Sequence, residues 1–189
     1  GIVGIVGDRP VAERLVDALK RLEYRGYDSA GVATVRDGKL ERRRAEGKLF
    51  NLEARLHAEP LAGDIGIAHT RWATHGAPTE TNAHPHFTDG VAVVHNGIIE
   101  NFSEIKDELI AAGASFSTQT DTEVVAQLLA RYRRDGMEPR EAMQSMLQRV
   151  TGAYALAVLF HDLPDTIMAA RSGPPLAVGT ASTDPDKTS

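Results

Sequence analysis

Strand-like segments occur in hairpin-like groups along this sequence, and that arrangement restricts the possible folds more than any other feature. Residues 30–35 and 40–44 have the character of two strands joined by a turn at 36–39, which contains an Asp-Gly pair. Residues 153–160 and 166–170 form a second group of strand-like segments. Parallel sheets need helices that alternate strictly with strands, and this chain lacks that alternation. The sequence therefore predicts an α+β fold with largely antiparallel sheets.

Helical spacing marks the segments between these strands. Apolar residues recur at i, i+4, i+7 and i+11 from Val11, directly after Pro10, which suits a first helical position. Gly113 and Gly136 follow two later helical segments and predict where those helices end. We predict helices over 10–21, 49–57, 102–112, 122–134 and 140–150, and further strands over 1–7, 65–69 and 91–95.

Composition excludes several classes of function. The 189 residues suffice for one domain with a real core, and a net charge of -5 without a basic stripe argues against nucleic acid as a partner. The longest apolar run, 153–160, is far too short to cross a bilayer, and no secretion signal is visible, so we expect a cytoplasmic protein. The absence of Cys excludes disulfides, thiolate metal sites and a cysteine nucleophile within these residues.

Asn96-Gly97 follows an apolar strand and has two interpretations. Asn-Gly is a common hairpin turn, and that is the structural interpretation. Alternatively, the Asn96 amide and the Gly97 backbone N–H point at one place, where two donors would form an oxyanion hole. Glycine at the second position would let a ligand approach the backbone closely.

A second segment, beginning at Arg71, has the character of a binding loop. Arg71 offers a planar fork of donors that suits a carboxylate, and Trp72, the only Trp, is followed by the polar residues Thr74 and His75. A surface Arg beside a half-buried Trp is the alternative. Asp121 opens a predicted helix and is either an N-cap or a ligand for an ammonium group. An Arg for a carboxylate and an Asp for an amine are what an α-amino acid requires.

Five histidines lie within 27 positions and raise the question of a metal site. Imidazole is a common metal ligand, but His84 and His86 are not an i, i+4 helix pair, and no carboxylate stands at metal spacing. Hydrogen-bonded histidines in the core or in loops are the favoured interpretation, and we expect no metal. A histidine-based metalloprotein remains the rival. The five are His69, His75, His84, His86 and His95.

Four segments together resemble the glutaminase domain of the class II, N-terminal nucleophile glutamine amidotransferases. They are RLEYRGYDSAG at 21–31, HTRWATHG at 69–76, NAHPH at 82–86 and HNGIIEN at 95–101. The first favours the glucosamine-6-phosphate synthase branch over the phosphoribosylpyrophosphate amidotransferases. The resemblance runs from 1 to about 179. Residues 180–189 form a polar tail that we expect to be disordered or to mark a truncation or splice point.

The resemblance implies a fold and an activity. The fold would be a four-layer αββα sandwich with two mostly antiparallel sheets. The activity would be hydrolysis of L-glutamine to glutamate and ammonia, with the ammonia passed in the parent enzyme to fructose-6-phosphate to make glucosamine-6-phosphate. The implied partners are a sugar isomerase domain and, in the parent, a second copy forming a homodimer. No cofactor is implied.

The resemblance also implies roles for particular residues. Asn96 and Gly97 would form the oxyanion hole, and Arg25 would support the nucleophile end of the pocket. Glutamine or glutamate would be held by Arg71 at its α-carboxylate and by Asp121 at its α-amine. A loop would close over it, formed by Trp72, Thr74 and His75.

One part of the family pattern is missing from this sequence. In the family, a Cys immediately precedes GIVG, its thiolate attacks the glutamine amide, and its own α-amine acts as the base. Here the sequence begins at Gly1, and the first Ser or Thr is Ser29. A chemically modified Cys, a deleted or omitted Cys, and a natural protein without the nucleophile are the three explanations. The alternative functions are a non-catalytic glutamine- or glutamate-binding module and the glutaminase domain of another class II amidotransferase.

Overall fold

Two antiparallel sheets form the centre of the fold. A computed structural model describes residues 1–22, 26–73 and 76–180. The helices are α1 (Ala12–Lys20), α2 (Leu49–Ala58), α3 (Phe102–Ala111), α4 (Glu123–Arg134) and α5 (Pro139–Arg149), with a short 3-10 turn at Glu80–Asn82. The strands are β1 (Ile2–Val6), β2 (Ser29–Arg36), β3 (Lys39–Glu46), β4 (Ile65–Arg71), β5 (His86–Thr88), β6 (Val91–Ile99), β7 (Gly152–Phe160) and β8 (Met168–Ser172).

Each sheet contains four strands in the part of the chain that the structure describes. The first has the order β1-β4-β2-β3 and the second the order β5-β6-β7-β8. Every strand pair is antiparallel, including the 29–46 hairpin that the Asp-Gly turn predicts. The predicted α+β class with antiparallel sheets is confirmed.

Three apolar layers hold the sheets and helices together. One lies between α1, α2 and the first sheet and includes Leu15 and Leu49. The second lies between the two sheets and includes Ile67 and Val94. The third lies between the second sheet and α3 to α5 and includes Leu128. Burying each such side chain contributes about 1.5–3 kcal/mol. This order of layers, helix, sheet, sheet and helix, is the four-layer sandwich that the resemblance implies.

The structure differs from the prediction at Asn96-Gly97. The hairpin-turn interpretation is wrong, because β6 continues to Ile99 and Gly97 pairs with Tyr154 of β7. Gly97 has a φ of 121°, and a Cβ there would lie 2.0 Å from the Ala153 carbonyl oxygen. Because β7 approaches so closely here, position 97 requires glycine even though it lies inside strand β6.

No described helix is both long enough and apolar enough to cross a lipid bilayer. The longest of them, α4, has 12 residues and carries three arginines in its last turn.

Candidate active site

A cavity of about 190 Å³ lies where the first residue of the chain, the end of β4 and the middle of β6 meet. Its lining includes four of the predicted site residues, Arg71, Trp72, Asn96 and Gly97. The other lining residues are Gly1, Gly26, His69, Thr70, His84, His95 and Thr122. A larger groove of about 560 Å³ runs between α1 and α2, but none of the predicted site residues lines it. We therefore place the candidate site at the smaller cavity.

Gly1 is held at the cavity by its backbone. Its α-amine donates to the Thr70 carbonyl oxygen at 2.7 Å, and the Thr70 N–H donates to the Gly1 carbonyl oxygen at 3.0 Å. These bonds continue the ladder between β1 and β4, in which Ile2 is paired with His69. A residue joined to the Gly1 nitrogen would consequently begin at the cavity wall.

Asn96 and Gly97 occupy the β6 side of the same cavity. Asn96 is half-buried, and its Oδ1 lies 2.9 Å from Nε2 of His69. Gly97 is exposed at the cavity. The two residues that the sequence predicts as oxyanion donors thus line the same cavity as Gly1. Their role in stabilising an oxyanion stays a prediction.

Arg71 is buried, with 4% of its surface exposed, so the interpretation as a surface arginine is wrong. Its guanidinium donates to the carbonyl oxygens of Ala77 at 3.2 Å and Gly76 at 3.3 Å. Its Nη1 also lies 3.8 Å from Oδ1 of Asp28. Burial lowers the pKa of Arg71, and the Asp28 and Asp121 carboxylates oppose that shift. A guanidinium at a small cavity wall is suited to attract the carboxylate of a ligand.

Asp28 is a residue of this site that sequence reasoning missed. Its carboxylate accepts hydrogen bonds from the Ala73 N–H and from the Ser29 hydroxyl, the latter at 2.9 Å. Its backbone N–H donates to the Arg71 carbonyl oxygen at 2.8 Å. Asp28 therefore joins the start of β2 to the segment that carries Arg71. The only sequence signal was its place inside the RLEYRGYDSAG segment.

Asp121 is buried beside the cavity, with 4% of its surface exposed. The N-cap interpretation is wrong, because Thr122 is the N-cap of α4 and no side chain among the described residues caps that helix. Oδ2 of Asp121 instead accepts the Ile99 N–H at 2.8 Å. Thr122, not Asp121, lines the cavity wall. Binding of an ammonium group by Asp121 stays a prediction.

Trp72 is 68% exposed, which is more than the half-buried alternative predicts. Its ring packs against Gly26, where a Cβ would lie 2.6 Å from Cζ3 of the indole. Gly26 also has a φ of 73°, so both space and backbone conformation favour glycine there. Three further predicted site residues, Arg25, Thr74 and His75, lie outside the described residues.

Four of the five clustered histidines are buried and hydrogen-bonded, as predicted. His95 shares a 2.9 Å hydrogen bond with the Thr122 hydroxyl, and His86 shares one of 3.0 Å with the Thr120 hydroxyl. The backbone N–H of His95 donates to Nδ1 of His84 at 3.2 Å, and the His84 ring stacks on His69. Within residues 1–22, 26–73 and 76–180, no group of three or more His, Cys, Asp and Glu could hold a metal ion.

We expect this histidine cluster to make folding stability depend on pH. Burial lowers the pKa of His69, His84 and His86 well below the usual 6.5. Below about pH 6.5 the unfolded chain therefore binds protons that the folded chain excludes, and stability falls as the pH falls. Each of the three side chains should contribute a slope that approaches about 1.4 kcal/mol per pH unit as its unfolded form becomes fully protonated.

Urea unfolding at about pH 7.5, 6.5 and 5.5 would measure this dependence. His86→Gln should reduce the slope by up to the contribution of one proton. Equal unfolding free energies at the three pH values would contradict the prediction.

Comparison with known proteins identifies the family. The glutamine amidotransferase domain family matches residues 69–181, more than half of the chain. The chain belongs to this family. Among curated proteins, it is 79% identical over 182 residues to a glutamine–fructose-6-phosphate aminotransferase (isomerizing) of Rhizobium meliloti strain 1021. It is 62% identical over 179 residues to the protein of that name from Brucella suis biovar 1.

These matches cover 96% and 95% of this chain but only 30% of each relative. The chain thus spans about a third of the length of the glutamine–fructose-6-phosphate aminotransferases that it matches.

Solved structures agree with the amidotransferase fold. A glutamine phosphoribosylpyrophosphate amidotransferase from B. subtilis superposes with a TM-score of 0.72 at 27% identity, over 85% of this chain and 35% of that one. A glutamine aminotransferase class-II domain protein from Silicibacter pomeroyi, at 17% identity, gives 0.62 over 92% of this chain and 77% of that one. The second likeness concerns the fold alone.

Proposed function

We propose that residues 1–179 form the glutamine-hydrolysing domain of a glutamine–fructose-6-phosphate aminotransferase. One observation supports this most strongly: a single small cavity is lined by Gly1, Arg71, Asn96 and Gly97. These residues come from the start of the chain and from strands of both sheets. Their shared cavity supports a nucleophile position before Gly1, a carboxylate-binding role for Arg71 and an oxyanion role for Asn96 and Gly97.

Substrate recognition in this proposal depends on the two ends of glutamine. Arg71 binds the α-carboxylate, and Asp121 attracts the α-ammonium group. The side-chain amide then extends along the cavity toward Gly1, between the start of β1 and Asn96. The Asn96 amide and the Gly97 N–H bind the amide oxygen as negative charge develops on it.

The reaction needs a nucleophile joined to the nitrogen of Gly1. A Cys there loses its thiol proton to its own α-amine, and its sulfur bonds to the glutamine amide carbon. The C–N bond then breaks, and the departing nitrogen takes a proton from the α-ammonium and leaves as ammonia. Water hydrolyses the thioester, which yields glutamate and restores the thiol. An α-amine suits this role because its pKa is normally near neutrality, at about 7.7–8.0.

The fate of the ammonia is proposed from the relatives. The R. meliloti protein is named as an aminotransferase that acts with fructose-6-phosphate, and this chain covers 30% of it. In the full-length protein we propose that ammonia passes to fructose-6-phosphate on a sugar isomerase domain outside these residues. A cytoplasmic location and a homodimer belong to the same proposal.

The direct test is hydrolysis of glutamine by the chain with Cys placed immediately before Gly1. Glutamate and ammonia should appear in equal amounts, and a chain with Ser in place of that Cys should be far less active. Saturable glutamine binding without hydrolysis by the folded Cys-bearing protein would favour a non-catalytic binding module. Absence of both binding and hydrolysis would overturn the proposed site.

Arg71→Ala should weaken binding of glutamate by about 1.5–3 kcal/mol, because it removes a charged hydrogen-bond donor to the ligand carboxylate. Calorimetry with the chain as it stands would measure this, since glutamate binding requires no nucleophile. Arg43→Ala is a matched control, because Arg43 is also largely shielded but pairs with Glu59. Equal glutamate affinity in the Arg71 variant and the parent chain would show that Arg71 does not bind the α-carboxylate.

A further inference from the structure

His69 lies at the point where the two sheets meet the candidate site. It is on β4 of the first sheet, 3% exposed, and it lines the cavity. Its Nε2 is 2.9 Å from Oδ1 of Asn96, which is on β6 of the second sheet. This hydrogen bond thus links the two sheets. One of its partners, Asn96, is a residue that the proposed function assigns to the oxyanion hole.

The surroundings of His69 determine which ring nitrogen carries the proton. Nδ1 is buried, and none of the residues that the structure describes forms a hydrogen bond with it. If Nδ1 carried the proton, that N–H would be a buried donor without an acceptor, which is rarer in proteins than a buried acceptor without a donor. Burial and the nearby α-amine also lower the pKa of His69, so the ring is neutral and carries a single N–H. That N–H is therefore on Nε2 and donates to Oδ1 of Asn96.

This hydrogen bond has a consequence for the direction of the Asn96 amide. If the amide turned over, its NH2 group would face the Nε2–H group, and two donors would oppose each other. The amide oxygen is thus held toward His69, and the NH2 group is left for the cavity. The ring itself is held in place by the stacked His84 ring, whose centroid lies 4.2 Å away at an interplanar angle of 18°.

We propose that His69 is a positioning residue that fixes the Asn96 side-chain amide with its NH2 group directed at the cavity. The proposal rests on the proposed glutaminase function, because it assigns His69 an effect on the reaction through Asn96. It differs from a packing role, in which only the shape of the ring against His84 would matter.

Two substitutions separate these roles in the chain bearing Cys before Gly1. His69→Phe keeps a stacking ring but removes the donor, and we expect kcat to fall by about 10- to 1,000-fold with little change in KM. His69→Gln loses the ring but places an amide N–H near the position of Nε2, and it should recover most of the lost kcat. His86→Phe, an equally buried histidine that does not line the cavity, is the matched control and should keep kcat.

A double-mutant cycle tests whether His69 acts through Asn96. In an Asn96→Ala background, His69→Phe should cause little further loss of kcat, because the amide that it orients is gone. Circular dichroism and glutamate affinity would establish that each variant is folded and binds ligand. Unchanged kcat in folded His69→Phe, or a full additional loss in the double variant, would overturn the proposal.

The tautomer can be measured without any substitution. Nitrogen-15 NMR of the histidine rings in the unaltered chain should show His69 protonated at Nε2 and bare at Nδ1. A proton on Nδ1 would overturn the proposal even if the chain hydrolyses glutamine. Failure of the proposed function would instead be seen as lack of hydrolysis by the folded Cys-bearing parent, while the NMR result would still stand.

Discussion

Retention of one additional Met ahead of a Cys–Gly1 chain is expected to abolish glutamine hydrolysis. The Met converts the α-amine of Cys into a peptide amide, which is not basic, so the thiol loses the group that accepts its proton. Nothing else about the position of the Cys needs to change. In the chain that starts at Gly1, hydrogen bonds of 2.7 and 3.0 Å join the Gly1 and Thr70 backbones, and a peptide N–H at Gly1 can donate in the same way in both Cys-bearing proteins.

Ammonia release from the Met-extended and processed proteins would test this, with intact mass used to confirm that each terminus is as intended. Glutamate affinity serves as the control, because Arg71 is present in both. An equal rate of hydrolysis with the Met retained would show that the α-amine is not the base.

Asn96→Ala in the Cys-bearing chain is expected to lower kcat by about 10²–10³-fold, with a smaller effect on glutamine binding. Removing one preorganised donor to a developing oxyanion commonly has an effect of that size. The interaction strengthens as charge develops, so the loss should appear in kcat rather than in KM. Asn96 is well placed for this, since it lines the cavity together with Gly97.

Asn101→Ala is the matched control for that measurement. Asn101 belongs to the same HNGIIEN segment, but its side chain donates to the Arg149 carbonyl oxygen at 2.8 Å and accepts the Thr151 N–H at 3.0 Å. Its substitution should cost stability without a large change in kcat. A similar loss of kcat in both variants would assign the effect of Asn96 to structure instead of to the oxyanion.

Much of the fold was predictable because its signals are local. The β2–β3 hairpin follows from an Asp-Gly turn, with a φ of 51° at Asp37 and 72° at Gly38. Helices α3 and α4 are followed by Gly113 and Gly136, whose φ values of 91° and 92° explain why helical spacing stops there. By contrast, β5 has only three residues and left no pattern to detect.

The sequence could not predict contacts that depend on how distant strands pack. Asn96-Gly97 resembled a turn because the residue that demands glycine, Ala153, lies 56 positions away from Gly97 along the chain. The Asp121 carboxylate accepts the N–H of Ile99 rather than capping its own helix, for a similar reason. The hydrogen bond between His69 and Asn96 joins two sheets and becomes visible only once the sheets are stacked. A histidine and an asparagine at the same spacing in a different fold would not lie within hydrogen-bond distance.

The resemblance to class II amidotransferases supplied what local patterns could not, since it selected Arg71 and Asn96 from a chain rich in polar residues. Both line the cavity at Gly1. The structure then added Asp28 and His69, whose parts in the site follow from their contacts with Ala73 and Asn96.

One measurement tests most directly whether glutamine meets the residue joined to Gly1 in this cavity. The Cys-bearing chain would be treated with a glutamine analogue that carries an electrophilic carbon in place of the amide, and the labelled peptide would be found by mass spectrometry. We predict that a single label appears on the Cys before Gly1, that excess glutamate protects against it, and that Arg71→Ala slows it. Labelling that glutamate does not slow, or that proceeds equally fast in the Arg71 variant, would contradict the assignment of this cavity as the glutamine site.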